Sequence, residues 1–187
     1  AEGKVVSVLS NGEKLESSKV LVAIGRKLNT ANMGLSEIGI KMEKDRILVD
    51  EEMKTNIPNI FAVGDIVHGP QLSHKAQREG IVAAEVIAGL KSKMDYSVIP
   101  WAIFTQPEIA AVGLTRDEAE EQKIKTIIGS LPLLANEKAN AMKKTTGLVK
   151  IVAREDNKQV IGAQIFAADA SVLIGELAVS VENKISI

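Results

Sequence analysis

The chain has 187 residues, 45% apolar and 25% charged, enough to bury one large core or two small ones and far too apolar for a disordered tail. Its 23 basic and 24 acidic residues leave a net charge of −1, so no broad electrostatic grip on nucleic acid or on an anionic membrane is expected. Zero cysteines exclude disulfides, thiolate metal sites and a thiol nucleophile within these residues, and two histidines, His68 and His74, argue against a multi-histidine metal site.

The first stretch alternates through Val5, Val6 and Val8, then reaches Asn11-Gly12. That dipeptide between apolar runs predicts a hairpin, because both residues tolerate positive φ. A strand is expected over 19–24, ended by Gly25, with short strands at 47–49 and 60–63. The clearest helix of the first half runs from about His74 to Leu90. Its expected buried face is Ala76, Ile81, Val82, Ala84, Ile87 and Ala88, and Gly89 is the expected stop. The polar stretch 91–100 marks a domain boundary.

Beyond it, strand patterns recur at 103–105, 109–112, 125–131, 148–153 and 160–166, with Asp156-Asn157 as the turn before the last. Thr115-Arg116-Asp117-Glu118 spells a capping box and so a helix start. A final helix from about Ala170 carries Leu173, Ile174, Leu177, Ala178 and Val181 at helical spacing. Strand runs with two helices on one side predict an α+β layer. No apolar run approaches the roughly 18–20 residues of a membrane span, and Ala1 opens no signal-peptide pattern.

No G-x-G-x-x-G, H-E-x-x-H or G-x-S-x-G motif is present. The chemistry concentrates instead in two places. In the run 55–65, an apolar segment leads into Gly64 and then the carboxylate of Asp65. An ionised carboxylate is acceptor-only and suits vicinal hydroxyls, as on a sugar or polyol. Spacing alone allows a plain turn equally well. Next, Gln71, Leu72, Ser73 and His74 lead straight into the helix, whose first amides carry partial positive charge and suit an anionic ring or phosphate. The plainer alternative is that Ser73 caps the helix and His74 is a surface residue.

Five motifs stand in one order: Val-Ala-Ile-Gly-Arg at 22–26 with Asn29; the run 55–65; Gln-Leu-Ser-His-Lys-Ala at 71–76 with Glu79-Gly80; Phe-Thr-Gln-Pro-Glu-Ile-Ala-Ala-Val-Gly-Leu-Thr at 104–115; and Asn136-x-x-Ala139. Together they resemble the C-terminal half of the flavin-dependent pyridine nucleotide–disulfide oxidoreductases. Pro107-Glu108 favours the dihydrolipoamide dehydrogenase branch over glutathione- or mercuric-reductase-like members. A non-catalytic dimerisation module is the alternative of another class.

The resemblance implies a mixed fold, α/β and then α+β. A partial FAD/NAD-binding, Rossmann-like segment precedes an interface domain with an antiparallel sheet. Residues 1–25 would end the nicotinamide-binding domain, 26–98 would contact FAD and 99–187 would form the dimerisation domain. Gly25 matches the glycine that lies against NAD. Asp65 matches the aspartate that bonds the ribityl chain of FAD, and Gln71, Leu72, Ser73 and His74 match the four residues whose backbone wraps the flavin. Gln71 and Ser73 replace the usual Met and Ala, a change of little weight where backbone groups make the contacts.

The resemblance further implies a homodimer, association with a 2-oxoacid dehydrogenase complex and a cytoplasmic location. The family's redox cysteine pair, its glycine-rich motifs and its catalytic His–Glu pair match nothing in these residues. The chain is accordingly expected to be a piece of such an enzyme and inactive alone, with no catalytic residue of its own.

Overall fold

The structure, a computed structural model, describes residues 3–187. The hairpin expected around Asn11-Gly12 forms from β1 (Val5–Val8) and β2 (Lys14–Ser17), paired antiparallel with Val5 opposite Ser17. Gly12 takes a φ of 85°, and the Asn11 side chain accepts from the Glu13 N–H at 3.0 Å. Residues 19–24 form no strand. A strand is held by ladder bonds to a neighbour, and no backbone bond among the described residues ties this segment to another. Leu21, Val22 and Ile24 face solvent, Ile24 with 95% of its surface exposed.

A two-residue hairpin follows, β3 (Met42–Glu43) with β4 (Arg46–Ile47), shorter and earlier than the strand expected at 47–49. Residues 60–63 also stop short of a strand, making one bridge between Phe61 and Lys54. Their period-2 pattern is still used. Ile60 and Ala62 pack with Ile40, Ile47 and Val67, while Phe61 and Val63 pack with Met53, Val82, Ala83 and Met94. The segment separates two apolar clusters, so burial on both faces takes the place of a sheet.

Helix α1 (Ser73–Ile87) ends as expected. Gly89 has a φ of 82°, its N–H reaches Val86 O, and the Leu90 N–H reaches Glu85 O, which satisfies the last carbonyls. Its buried face differs from the expected one. Ile81, Ala84, Ile87 and Ala88 are exposed, and the buried residues are Lys75, Glu79, Val82 and Ala83. Apolarity misled here, because two charges that satisfy each other occupy one turn of the inner stripe.

The second half is a five-stranded antiparallel sheet of order β5-β6-β9-β8-β7. Its strands are β5 (Trp101–Ile103), β6 (Glu108–Gly113), β7 (Thr126–Pro132), β8 (Leu148–Arg154) and β9 (Val160–Ala167). In β9, Ala163, Ile165 and Ala167 alternate into the core, and Ala163 and Ile165 lie opposite Val112 and Ala110 of β6. Helix α4 (Ala170–Glu182) covers this face with Ile174, Leu177, Ala178 and Val181, while Leu173 turns outward.

Helix α2 (Arg116–Glu121) carries the complete capping box, Thr115 accepting from the Glu118 N–H and Glu118 accepting from the Thr115 N–H. Helix α3 (Glu137–Ala141) was not foreseen, although the Asn136 side chain accepts from the Ala139 N–H and caps it. At five residues it is too short to show helical periodicity.

Two glycines close the sheet. Gly113 and Gly162 face each other, and a Cβ on Gly162 would lie 1.9 Å from the Leu114 carbonyl oxygen. Gly162→Ala is expected to destabilise the fold by about 3 kcal/mol or more, as for an overpacked core. Gly129→Ala, where a Cβ meets nothing within 4 Å, is expected to shift stability by less than about 1 kcal/mol, with Ala the better strand residue. Urea titration of both variants checks the contrast, and equal losses would contradict it.

Helix α4 lacks a local side-chain cap, since Asp169 sits in the left-handed region with a φ of 61°. Glu108 of β6 supplies one by accepting from the Ser171 N–H at 2.8 Å. The Ser171 backbone bond, and then its hydroxyl, hold the Glu108 carboxyl below its ordinary value of 4.5. A depressed carboxyl stabilises the fold above its unfolded value and loses that contribution as pH falls through the folded one. Below about pH 4.5, the urea midpoint is expected to fall more steeply for the parent than for Glu108→Gln. Parallel slopes would contradict the cap.

Candidate functional site

The run 55–65 is a delivery device for its last two residues. Thr55 Oγ1 donates to Ile60 O at 2.9 Å and closes the turn through Pro58-Asn59, where Asn59 has a φ of 65°. The Asn56 side chain donates to Gly39 O and accepts from the Lys41 N–H, which ties the turn to the preceding loop. The chain then enters a 3₁₀ turn, Gly64–Ile66, that packs on α1. Gly64 has a φ of 87°, a conformation that side chains rarely adopt.

What holds that turn went unforeseen. Lys75 Nζ donates to Gly64 O at 2.9 Å and sits 3.0 Å from Glu79 Oε1. Glu79 Oε2 accepts from the Gly64 N–H at 2.7 Å. One ion pair therefore grips both polar groups of a single residue. Both side chains have 0% exposure. Tyr96 Oη completes the cluster by donating to Glu79 Oε1 at 2.7 Å. Burial, followed by that bond to a carboxylate, pushes the Tyr96 hydroxyl well above its ordinary range, so it stays a donor. The legible signal was an i,i+4 Lys–Glu pair in register with Val82, Ala83 and Val86.

Asp65 itself is partly open, with 32% of its side chain exposed, and its Oδ2 lies 3.1 Å from Arg26 Nη1. Gly25, of φ 134°, precedes Arg26 in the chain and makes no contact of its own with the Asp65 turn among the hydrogen bonds and ion pairs of the described residues. Arg46 Nη1 bonds Val67 O and Gly69 O and secures the loop from Asp65 toward Gln71.

The four residues Gln71, Leu72, Ser73 and His74 form the entry to α1. Leu72 is the N-cap, no side chain caps the helix and no acidic residue lies in its first turn. Ser73 is the first helical residue and not the cap. His74 is exposed and its Nε2 lies 2.6 Å from Pro100 O, a tie between α1 and the approach to β5. The four residues line an open cleft of about 840 Å³ with Arg78, Trp101 and Ile174. The structure thus joins Asp65 and the start of α1 through the buried pair, and leaves Gly25 on an exposed segment. Among the described residues, no group of three His, Asp or Glu is placed to hold a metal ion.

A partly open carboxylate and an uncapped helix start suit, respectively, the hydroxyls and the negative charge of one class of ligand. Comparison with known proteins narrows this class. The family model described as pyridine nucleotide-disulphide oxidoreductase matches residues 1–80, and the model of that family's dimerisation domain matches residues 99–187. The chain belongs to the pyridine nucleotide-disulphide oxidoreductases.

It is 45% identical over 184 residues to dihydrolipoyl dehydrogenase of Geobacillus stearothermophilus, covering 97% of this chain and 39% of that protein. It is 39% identical over 188 residues to the mitochondrial dihydrolipoyl dehydrogenase of Mus musculus, covering 97% and 37%. Among solved structures, LpdA from Mycobacterium tuberculosis superposes with a TM-score of 0.87 at 31% identity, over 97% of this chain and 40% of that one. The Cu(II) complex of the HOCl-induced flavoprotein disulfide reductase RclA from Escherichia coli gives 0.82 at 26% identity, over 100% and 43%. The chain therefore spans about two-fifths of the length of the relatives it matches. The family's cofactors are FAD and a pyridine nucleotide.

Removing one partner of a buried pair leaves an uncompensated charge. Lys75→Met is expected to destabilise the fold by about 3–5 kcal/mol, whereas removing the exposed Lys93–Glu51 pair is expected to leave stability nearly unchanged. Chemical denaturation of the two variants tests this, and comparable small losses would contradict the burial.

Proposed function

We propose that this chain carries the FAD-contacting and dimerising parts of a dihydrolipoamide dehydrogenase. Residues 1–25 close its nicotinamide-binding domain, 26–98 contact FAD and 99–187 pair two copies. The observation that carries this reading is the placement of Asp65 and the start of α1 on one buried support. The donor set fits the cofactor. A carboxylate offers about four acceptor positions, so Arg26 leaves room for ribityl hydroxyls. Gly64 and Gly69, at φ 87° and 103°, keep side chains off the backbone near the ligand.

Asp65 accordingly binds the ribityl chain, and the backbone of Gln71, Leu72, Ser73 and His74 wraps the flavin. The α1 amides stabilise negative charge at the ring edge, an effect of roughly 0.3–1 kcal/mol at exposed helix ends and more when partly buried. Gly25 lies on the NAD side. When bound, FAD supplies the passage of electrons between a dithiol and NAD. The chain's residues contribute binding, orientation and a polarised helix end; with no cysteine, they contribute no thiol.

The homodimer reading rests on the dimerisation-domain match and on the exposed apolar side chains Phe104, Leu134 and Val172 within it. A 2-oxoacid dehydrogenase complex is the proposed assembly and the cytoplasm the proposed compartment, although the pea and mouse relatives are mitochondrial. Among the described residues, no helix is long and apolar enough to cross a membrane.

Asp65→Ala in the flavin-loaded protein tests the reading. FAD retained through gel filtration is expected to drop sharply, with the dimer intact. Unchanged retention would remove Asp65 from the site.

A further inference from the structure

We infer that the buried Lys75–Glu79 pair, completed by Tyr96, is a positioning device for the flavin and not simply a support for the fold. The inference rests on the flavin reading of Asp65 and extends it to three residues that touch no proposed ligand atom. Two observations carry it. The first is the target of the pair. Lys75 and Glu79 together bond the C=O and the N–H of Gly64, the residue immediately before Asp65. The second is its reach toward the other half of the site. Lys75 Cε lies 3.2 Å from the place a Cβ of Gly69 would occupy, and Tyr96 Cε1 lies 3.6 Å from it. The same cluster therefore packs under the loop that leads to Gln71.

The energetics point the same way. Ionised groups taken fully out of water lose hydration that their mutual attraction does not reliably repay, and apolar residues of similar volume often stabilise a fold as well or better. Val82 and Ala83, one turn further along the same stripe, show that this face of α1 accepts apolar packing. An apolar pair at 75 and 79 would fill the space and leave both polar groups of Gly64 without partners. What the charges add is orientation of one peptide, held from both sides while the neighbouring carboxylate stays open to a ligand.

The proposal separates stability from cofactor geometry, and one double variant reads both. Lys75→Met/Glu79→Leu in the full flavin-loaded protein removes both charges together and leaves neither unpaired. The apoprotein is expected to fold, with a melting temperature lowered by the loss of the two Gly64 hydrogen bonds. Its Kd for FAD, measured by flavin fluorescence quenching, is expected to rise about tenfold or more, with a changed flavin absorbance envelope. A folded double variant with unchanged FAD affinity would overturn the inference.

If the double variant does not fold, Tyr96→Phe decides. It removes only the hydroxyl that orients Glu79, and is expected to raise the Kd about threefold; an unchanged Kd again overturns the inference. Asp65→Ala is the reference in both cases. Weakened binding there with intact binding in the cluster variants refutes the positioning role alone. Intact binding in all of them refutes the flavin assignment on which it stands.

Discussion

Lys75 and Glu79 stand one turn apart on α1, both fully buried, and both reach back to Gly64. Much of the first half of the molecule is arranged around that grip. A buried pair of this kind persists only where its remaining hydrogen-bonding capacity is met. Here Gly64 and Tyr96 meet it, and among the described residues no buried side-chain polar atom lacks a partner. The surrounding cluster of Met53, Val82, Ala83 and Met94 keeps solvent out. Packing and polarity thus depend on each other: the apolar cluster raises the strength of the ion pair, and the ion pair fixes a backbone turn that packing alone would leave loose.

Everything proposed for the site follows from that turn. Asp65 inherits its position from Gly64, while Arg46 secures the loop carbonyls of Val67 and Gly69 that lead to the start of α1. His74, which invites a catalytic reading by its residue type alone, instead ties α1 to Pro100 and so to the antiparallel sheet. The sheet has a different economy. It is held by apolar alternation in β6 and β9, by two glycines that let adjacent backbones meet, and by a glutamate that crosses from β6 to cap α4.

The sheet half was legible because each of its signals is local. Alternation, a Thr-x-x-Glu capping box and a terminal apolar helix all act within a few residues, and they recur in the structure nearly where they were read. The first half was less legible because its support is not local. Residues 19–24 carry strand-like composition without a paired neighbour, and 60–63 bury both faces without a ladder. The Lys–Glu pair was hidden for a third reason. Scoring a helix face by apolarity assigns charges to solvent, and only the position of Gly64, eleven residues before Lys75, shows why these two point inward. Asp65 and the entry to α1 stand out in the sequence by chemistry and motif order; what fixes them in place does not.

Amide hydrogen exchange at Gly64 tests the central claim most directly. An N–H donated to a buried carboxylate should exchange only when the cluster opens, so its protection is expected to match that of the core amides of α1 at Val82 and Ala83. Exchange at the rate of the exposed segment 19–24 would show that the ion pair does not hold this turn, and the account of the site would fail with it.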